Sequence, residues 1–449
     1  MPLFRHLEEY ISNHYLTQKS ALLLTGARQT GKTYAIRQEG KKFKSFIEIN
    51  FIEHPELVDL FANVSSAKDI LLRISALTTT PLIKDDTLIF FDEVQKCENI
   101  VTAIKFLVDE GSYRYALSGS LLGVELKDLR SVPVGYMTIK DVYPLDFEEF
   151  ALNVGVSPNI IDVLHDNWGN KTAVDEIIHQ RMLKLFQLYL VVGGMPAAVD
   201  KYIQSNNLNE VARTQTDIVD LYKWDISQYA RDRKLVIKEI YDLIPSELDA
   251  KNKRFILKQL NQHAKYDRYK DDFLWLKDAG VAIPVYNVTE PMIPLKLSET
   301  RNLFKLFSND VGLLACQYAD GIQIKILSGE TDMNYGAIYE NVVAQELLCH
   351  GFQPYYFNSK KLGEIDFIVQ SAGRPLPIEV KSGKDYRKHK ALDNILNIPT
   401  YGIKEGIVLS NANLHTEGDV VYAPVYMLMF IKRTISAGGK YVIDLTGLQ

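Results

Sequence analysis

Apolar residues fall in short blocks through the first third of the chain: Ala21–Thr25 (ALLLT), Phe46–Asn50 (FIEIN), Leu88–Phe91 (LIFF), Tyr113–Leu117 (YRYAL) and Met137–Val142. Each block is β-rich and bounded by turn or helix signals, the pattern of strands buried in a parallel sheet. Between them, around 32–40, 66–77 and 97–109, apolar positions recur at helical spacing. Alternating strands and helices predict a wound parallel sheet, with ligands at the carboxyl ends of its strands.

From Phe147 to about Ser205 the pattern turns helical, with Arg181–Val192 (RMLKLFQLYLVV) as its apolar spine and Gly193-Gly194-Met195-Pro196 as a sharp stop. Residues 208–280 read as helices, followed by Gly280 and the strand VAIPVYNV, a succession that predicts a small winged-helix module. From about Phe304 the α/β rhythm returns. A helix at Tyr339–His350 precedes strands Tyr355–Phe357, Glu364–Val369, Leu376–Val380 and Gly406–Leu409, and predicts a second, separate core. The expected division is a nucleotide-binding α/β core at 1–150, a helical lid at 151–207, a winged-helix-like helical domain at 208–300 and an α/β domain at 301–449.

A chain of 449 residues exceeds one ordinary core, in line with that division. The net charge of −5 provides no global positive field, so any nucleic-acid contact has to come from a local patch. Cys97, Cys316 and Cys349 stand far apart without CxxC spacing, which argues against a zinc site or disulfide framework and for a reducing, cytoplasmic setting. The first residues carry acids among the apolar positions, unlike a secretory leader. No run of about 18 apolar residues suggests a membrane span.

Chemistry enters at Gly26-Ala27-Arg28-Gln29-Thr30-Gly31-Lys32-Thr33, which satisfies GxxxxGK[ST] between a strand and a helix. Gly26 and Gly31 let the backbone curl so that successive N–H groups point at phosphate oxygens. Lys32 is placed for the β- and γ-phosphates of ATP and the Thr33 hydroxyl for Mg²⁺, while the helix directs its positive end at the same anion. The strand LIFF delivers Asp92 and Glu93 at its carboxyl end: Asp92 to hold Mg²⁺ through water, Glu93 to polarise the attacking water. The next strand ends Leu117-Ser118-Gly119-Ser120, so Ser118 or Ser120 is a candidate for sensing the γ-phosphate.

A second constellation lies near the C-terminus. Asp366 precedes a turn at Ala372-Gly373-Arg374-Pro375, and Glu379 and Lys381 follow on one face of the returning strand. Two carboxylates and a lysine can then converge on one point, which resembles the arrangement of PD-(D/E)xK nucleases; that resemblance implies Asp366 and Glu379 as Mg²⁺ ligands and Lys381 as the cation that stabilises the transition state or helps orient the nucleophile. The alternative is a cross-strand ion pair on a solvated face. The basic run Ser382–Lys390 beside it is either a phosphate grip or a solvated turn.

The ordered set GARQTGKT (26–33), FFDEVQ (90–95), LSGS (117–120), YPLDFEEF (143–150), GGMPAAV (193–199), KLFSNDVGLL (305–314), GAIYENVVAQEL (336–347) and EIDF (364–367) resembles AAA-type P-loop ATPases. In particular it resembles a bacterial and archaeal group in which an AAA core precedes a C-terminal domain of unknown function with a restriction-endonuclease-like, PD-(D/E)xK, fold. The resemblance implies an AAA-type core at 1–150, a restriction-endonuclease-like domain at 301–449, and Glu340 as an additional helix glutamate of a metal site. Members of this group often carry an arginine shortly before the YPL stretch, where this chain has Gly135-Tyr136. That leaves Arg130, or an arginine of a neighbouring subunit, as a substitute.

The expected function is Mg-dependent ATP hydrolysis coupled to binding or processing of nucleic acid. The alternative is an ATP-dependent switch or remodelling module whose C-terminal domain binds a partner protein. A small-molecule kinase is disfavoured by Glu93 directly after Asp92, which suits water activation. Oligomeric state is not legible.

Overall fold

A computed structural model of the chain describes residues 2–62, 66–120, 135–250, 253–262, 265–318, 321–328, 336–383, 385–433 and 443. Arg130, His263 and Lys384 lie outside them. After α1 (His6–Thr17), the order β1 (Ala21–Thr25), α2 (Lys32–Gly40), β2 (Ser45–Asn50), α3 (Ala67–Leu77), β3 (Thr87–Asp92), α4 (Glu98–Glu110), β4 (Arg114–Ser118) and β5 (Met137–Asp141) builds a five-stranded sheet ordered β2-β3-β4-β1-β5. All its pairings are parallel, and each expected strand is found within a residue or so. Alternate residues feed opposite faces. Leu23, Ile89, Phe91 and Leu117 enter one core with α3 and α4, whereas Leu22, Leu24, Phe90 and Ala116 enter another with α1 and α2.

The chain then runs through α5 (Phe147–Asn153), α6 (Pro158–Asn170), α7 (Glu176–Val192), α8 (Pro196–Ser205), α9 (Leu208–Tyr229), α10 (Lys234–Asp249) and α11 (Tyr266–Asp278). Asp146 opens α5 with a full capping box to Glu149. Gly193 ends α7, and the chain turns by 119° into α8. No single helix among the described residues is long and apolar enough to cross a membrane. The bent pair α7–α8 passes that test by composition, yet much of its apolar surface is packed inside the fold.

The strand read as a wing is not one. β6 (Ala282–Val288) pairs antiparallel with β7 (Glu299–Ser308) and parallel with β8 (Tyr355–Ser359). It belongs to an eight-stranded sheet with β9 (Gly363–Ser371), β10 (Arg374–Val380), β11 (Gly406–Ser410), β12 (His415–Glu417) and β13 (Val420–Pro424), ordered β12-β13-β11-β10-β9-β8-β6-β7. A boundary at residue 300 therefore cuts a hairpin, and the winged-helix module is replaced by helices packed on this sheet. The local β6–β7 hairpin imitates a wing, while its pairing with the distant β8 leaves no local sequence signal.

Nor is the later core separate from the lid. One continuous apolar cluster runs from Leu145, just ahead of the lid, through the lid helices and α9–α11 to Ile431. At its centre lies α14 (Gly336–Cys349), which follows α12 (Val311–Cys316) and α13 (Ile322–Ser328) and precedes α15 (Lys390–Leu396). Even the polar side chains of α14, Glu340, Asn341, Gln345 and Glu346, are buried. Burial of this kind requires partners, and those partners tie the two halves of the molecule together.

Candidate functional site

β1 leaves the sheet into a loop whose residues Gly26, Gln29 and Gly31 all have positive φ, and α2 starts at Lys32. Gly26 is required by space as well: a Cβ there would lie 2.3 Å from the Val142 carbonyl oxygen. Gly26 and Ala27 form the rear of the loop, against Val142 and Gly280. The front, Arg28, Gln29, Gly31, Lys32 and Thr33, lines a cavity of about 760 Å³ together with Glu93, Ser118 and Ser120. Thr30 is buried, and its hydroxyl donates to the Ala27 carbonyl at 2.9 Å, bracing the turn.

The Lys32 ammonium donates to the Gly26 and Ala27 carbonyls at 2.9 and 2.7 Å. Burial pushes its pKa down to about 8, against the opposing pull of Glu93 and Asp92. Thus the ammonium of the loop is held partly desolvated, where it gains most from an arriving phosphate.

Asp92 ends β3 and is buried. Its carboxylate accepts from the Thr33 hydroxyl at 3.2 and 3.3 Å, from the Glu93 main-chain N–H at 3.0 Å, from Asn50 at 3.3 Å and from the Ser118 hydroxyl. Burial, then the charge of Glu93, raises its pKa, while these donors oppose the shift. Because β4 lies between β1 and β3, Ser118 meets Asp92 directly. A hydroxyl and a carboxylate side by side are hard oxygen donors and fit Mg²⁺.

Glu93 follows in the left-handed conformation, φ 57°, which turns its side chain toward the cavity. It accepts from Gln95 Nε2 and, at 3.4 Å, from the Ser120 hydroxyl. Asn50, Gln95 and Arg5 were not anticipated. Asn50 had a readable signal, as a polar residue at the carboxyl end of a parallel strand. Arg5 had none: its guanidinium reaches the Thr30 carbonyl at 3.1 Å, the Tyr143 carbonyl at 2.8 Å and Glu149 at 3.1 Å.

The lid and the later helices close on the loop. Pro196 and Ala197, at the start of α8, line the cavity. Tyr222 donates through its hydroxyl to the Arg28 carbonyl at 3.0 Å, and Asp225 pairs with the Arg28 side chain at 2.9 Å. The run Tyr222–Tyr229 thus contributes packing and loop contacts.

In the C-terminal half, β9 and β10 form the expected hairpin, with Ala372 and Gly373 both at positive φ in a two-residue turn. Asp366 accepts from the Val380 main-chain N–H at 2.8 Å, and Lys381 donates to Glu379 at 2.7 Å. Glu340 joins them from α14, but sequence reading missed the residue at the centre. Lys305, on β7 and almost inaccessible, pairs with Glu364 at 2.9 Å, Glu340 at 3.0 Å and Asp366 at 3.9 Å, and Lys253 also pairs with Glu340. Burial works against its charge, yet the surrounding carboxylates outweigh it and hold Lys305 above the ordinary lysine range. Burial and the charges of Glu340 and Glu379 raise Asp366 well above the usual carboxylate range.

Glu340, engaged by two ammonium groups, does not fit a metal ligand set, and among the described residues no group of three or more His, Cys, Asp or Glu side chains is arranged to hold a metal ion. Of the basic run, Arg387 pairs with Glu417 at 3.0 Å and Lys388 with Asp385 at 2.7 Å, so part of its charge is already matched. His179 and His389 are buried and partnered by Tyr426 and Tyr422 respectively.

A phosphate loop between β1 and α2, an acidic pair at the tip of β3 and a polar-ended strand between them define a P-loop ATPase domain of the AAA type. Residues 18–151 match the family model described as an AAA domain. Residues 183–323 match a domain of unknown function, DUF8612, and residues 335–428 another, DUF4143. No curated protein matches the chain. Among solved structures, the chain is similar to the Walker-type ATPase PABY2304 of Pyrococcus abyssi, at 14% identity over 70% of this chain and 96% of that one, TM-score 0.43. It is also similar to the Orc1 protein of Aeropyrum pernix in complex with DNA, at 12% identity over 74% and 93%, TM-score 0.27.

Proposed function

We propose that the chain hydrolyses ATP and uses the cycle to control how its C-terminal α/β unit engages nucleic acid. The observation that carries the ATPase reading is the convergence of Lys32, Thr33, Ser118 and Glu93 on one cavity, with Asp92 buried behind it and bonded to Thr33 and Ser118. In that cavity the loop amides and Lys32 bind the phosphates, and Thr33 and Asp92 would hold Mg²⁺, which when bound neutralises phosphate charge. Glu93 orients a water and takes its proton, assisted by Gln95 and Ser120, which fix the carboxylate.

The route outward runs through α14. Its Gln345 accepts from the Val311 N–H at 2.8 Å and donates to the Tyr189 hydroxyl at 2.9 Å. Its Glu346 accepts from the Phe147 N–H at 2.9 Å. His350 faces Asp146 at 3.7 Å, whose capping-box partner Glu149 pairs with Arg5, and Arg5 holds the phosphate loop. One helix, with the His350 that follows it, therefore connects the Glu340 cluster to a relay of contacts that ends at the phosphate loop.

The carboxylate–lysine hairpin supports a restriction-endonuclease-like unit. Within it, Lys305 and Lys253 already neutralise Glu340. That same observation favours a second reading, in which the C-terminal unit binds nucleic acid or a partner protein without cutting.

The test is ATP turnover by the full chain with and without duplex, single-stranded and branched DNA, alongside plasmid cleavage in Mg²⁺ or Mn²⁺ by wild type and Lys381→Ala. Turnover stimulated by DNA supports the proposal, and turnover indifferent to every DNA form overturns the nucleic-acid part. Cleavage lost in Lys381→Ala assigns nuclease chemistry, and no cleavage by either protein leaves the binding reading.

A further inference from the structure

Arg28 is the third residue of the phosphate loop, and its main chain and side chain are both held by α9. Tyr222 donates to its carbonyl oxygen at 3.0 Å, and Asp225, one turn later on the same face of the helix, pairs with its guanidinium at 2.9 Å. Although close, the Asp225 Oδ1 atom involved makes no aligned hydrogen bond, so the contact is a charge pair of loose geometry. Arg28 Nε donates to the Ser120 hydroxyl at 3.3 Å, and Ser120 donates to Glu93 at 3.4 Å. A single hydroxyl thus separates the guanidinium from the carboxylate assigned to activate water.

Arg28, Lys32, Glu93 and Ser120 line the same cavity. A γ-phosphoryl group attacked by water held at Glu93 and gripped by Lys32 must lie between those two side chains. On that side of the cavity Arg28 is the arginine linked to Glu93. Gly135-Tyr136 stands where an arginine was expected from the resemblance.

Resting on the ATPase reading, we propose that Arg28 acts in cis on the γ-phosphoryl group and that Asp225 restrains it, so that α9 sets the turnover rate. In the step itself the water oxygen bonds to the γ-phosphorus while the bond from that phosphorus to the β–γ bridging oxygen breaks. Glu93 accepts the water proton, and the products are ADP and inorganic phosphate. The guanidinium, exchanging Asp225 for phosphoryl oxygens, matches charge that grows in the transition state. Movement of α9 away from the loop withdraws Asp225 and frees the arginine, which couples the later helices to catalysis.

The experiment measures kcat, ATP affinity and trapping of ADP with aluminium fluoride for full-length wild type, Arg28→Ala, Arg28→Lys, Asp225→Asn, Lys32→Ala and Glu93→Gln. Arg28→Ala is expected to lower kcat by about 100-fold or more and to lose the ADP–aluminium fluoride complex, with ATP affinity changed by less than about threefold. Arg28→Lys restores only a fraction, since an ammonium lacks the planar fork. Asp225→Asn is expected to raise kcat several-fold.

If Arg28→Ala keeps kcat and the trapped complex, or weakens ATP binding alone, the proposal is overturned. An unchanged or lower kcat in Asp225→Asn overturns the restraint. The ATPase reading fails separately, when wild type shows no turnover or Lys32→Ala and Glu93→Gln match it.

Discussion

Asp310 accepts the Gly194 main-chain N–H at 2.6 Å and, through its other oxygen, the Leu313 N–H at 2.9 Å. One buried carboxylate therefore caps α12 and fastens the GGMP turn that leads into α8 at the phosphate-loop cavity. The motifs GGMPAAV and KLFSNDVGLL, far apart in sequence, are two halves of one joint. Gly193 and Gly312 make it possible, since a Cβ on Gly193 would lie 2.2 Å from Asp310 Oδ1 and one on Gly312 2.6 Å from the Val192 carbonyl oxygen.

This joint predicts a pH dependence. Burial pushes Asp310 up to about 6, whereas an unfolded aspartate titrates near about 3.9. Over that window the folded chain binds more protons, so the contribution is full below about pH 4 and is lost as pH rises through about 6. Its size is at most about 3 kcal/mol. Asp310→Asn lacks the titration. The melting-temperature advantage of wild type over Asp310→Asn, followed by calorimetry, is expected to shrink between about pH 4 and about pH 7. A constant difference would contradict the assignment.

At the phosphate loop, Lys32→Ala is expected to abolish retention of ATP at millimolar concentration, while Glu93→Gln retains ATP and loses hydrolysis by about 100-fold or more. Equilibrium binding of a fluorescent ATP analogue and phosphate release separate the two effects. Parallel loss of binding in both variants would remove Glu93 from its role.

Behind the loop, Gly280 has φ +75°, and a Cβ there would lie 2.7 Å from the Ala27 nitrogen. Ala at this position is strained by its own backbone, at about 1–2 kcal/mol, and pushes on the loop. Gly280→Ala is expected to weaken ATP binding by roughly tenfold, although it stands outside the cavity. Unaltered ATP affinity in a folded variant would show that the loop tolerates the displacement.

In the C-terminal cluster, Lys305→Met leaves Glu340 and Glu364 facing each other without their shared cation. Breaking a buried ion pair from one side costs about 3–5 kcal/mol. Thermal unfolding should therefore begin at markedly lower temperature, and adding Glu340→Gln should recover part of the loss. Destabilisation that Glu340→Gln deepens would mean that the two residues do not share one charge balance.

The residues proposed to bind ATP and activate water were legible because their chemistry is local. A strand, a loop of fixed spacing and a helix occupy one short segment, and Asp92–Glu93 sits at the end of an unmistakably buried strand. The hairpin carrying Asp366, Glu379 and Lys381 was legible for the same reason. What escaped were partners brought in by long-range packing: Arg5 from the N-terminus, Asp225 from α9, and Lys305 from β7. Each is a charged residue in an ordinary helical or strand pattern, indistinguishable by sequence from a solvated one. Assignment of β6 to a wing failed likewise, since only β8 reveals its sheet.

The interleaving of β6 and β7 with the later strands also bears on how the molecule can be divided. A fragment begun at residue 301 or 335 would keep β8 while discarding its neighbour β6, leaving a row of naked peptide groups from Tyr355 onward. Such an open border recruits other chains. Truncations meant to isolate the C-terminal unit should therefore begin upstream of Ala282, or they will yield aggregates in place of a domain.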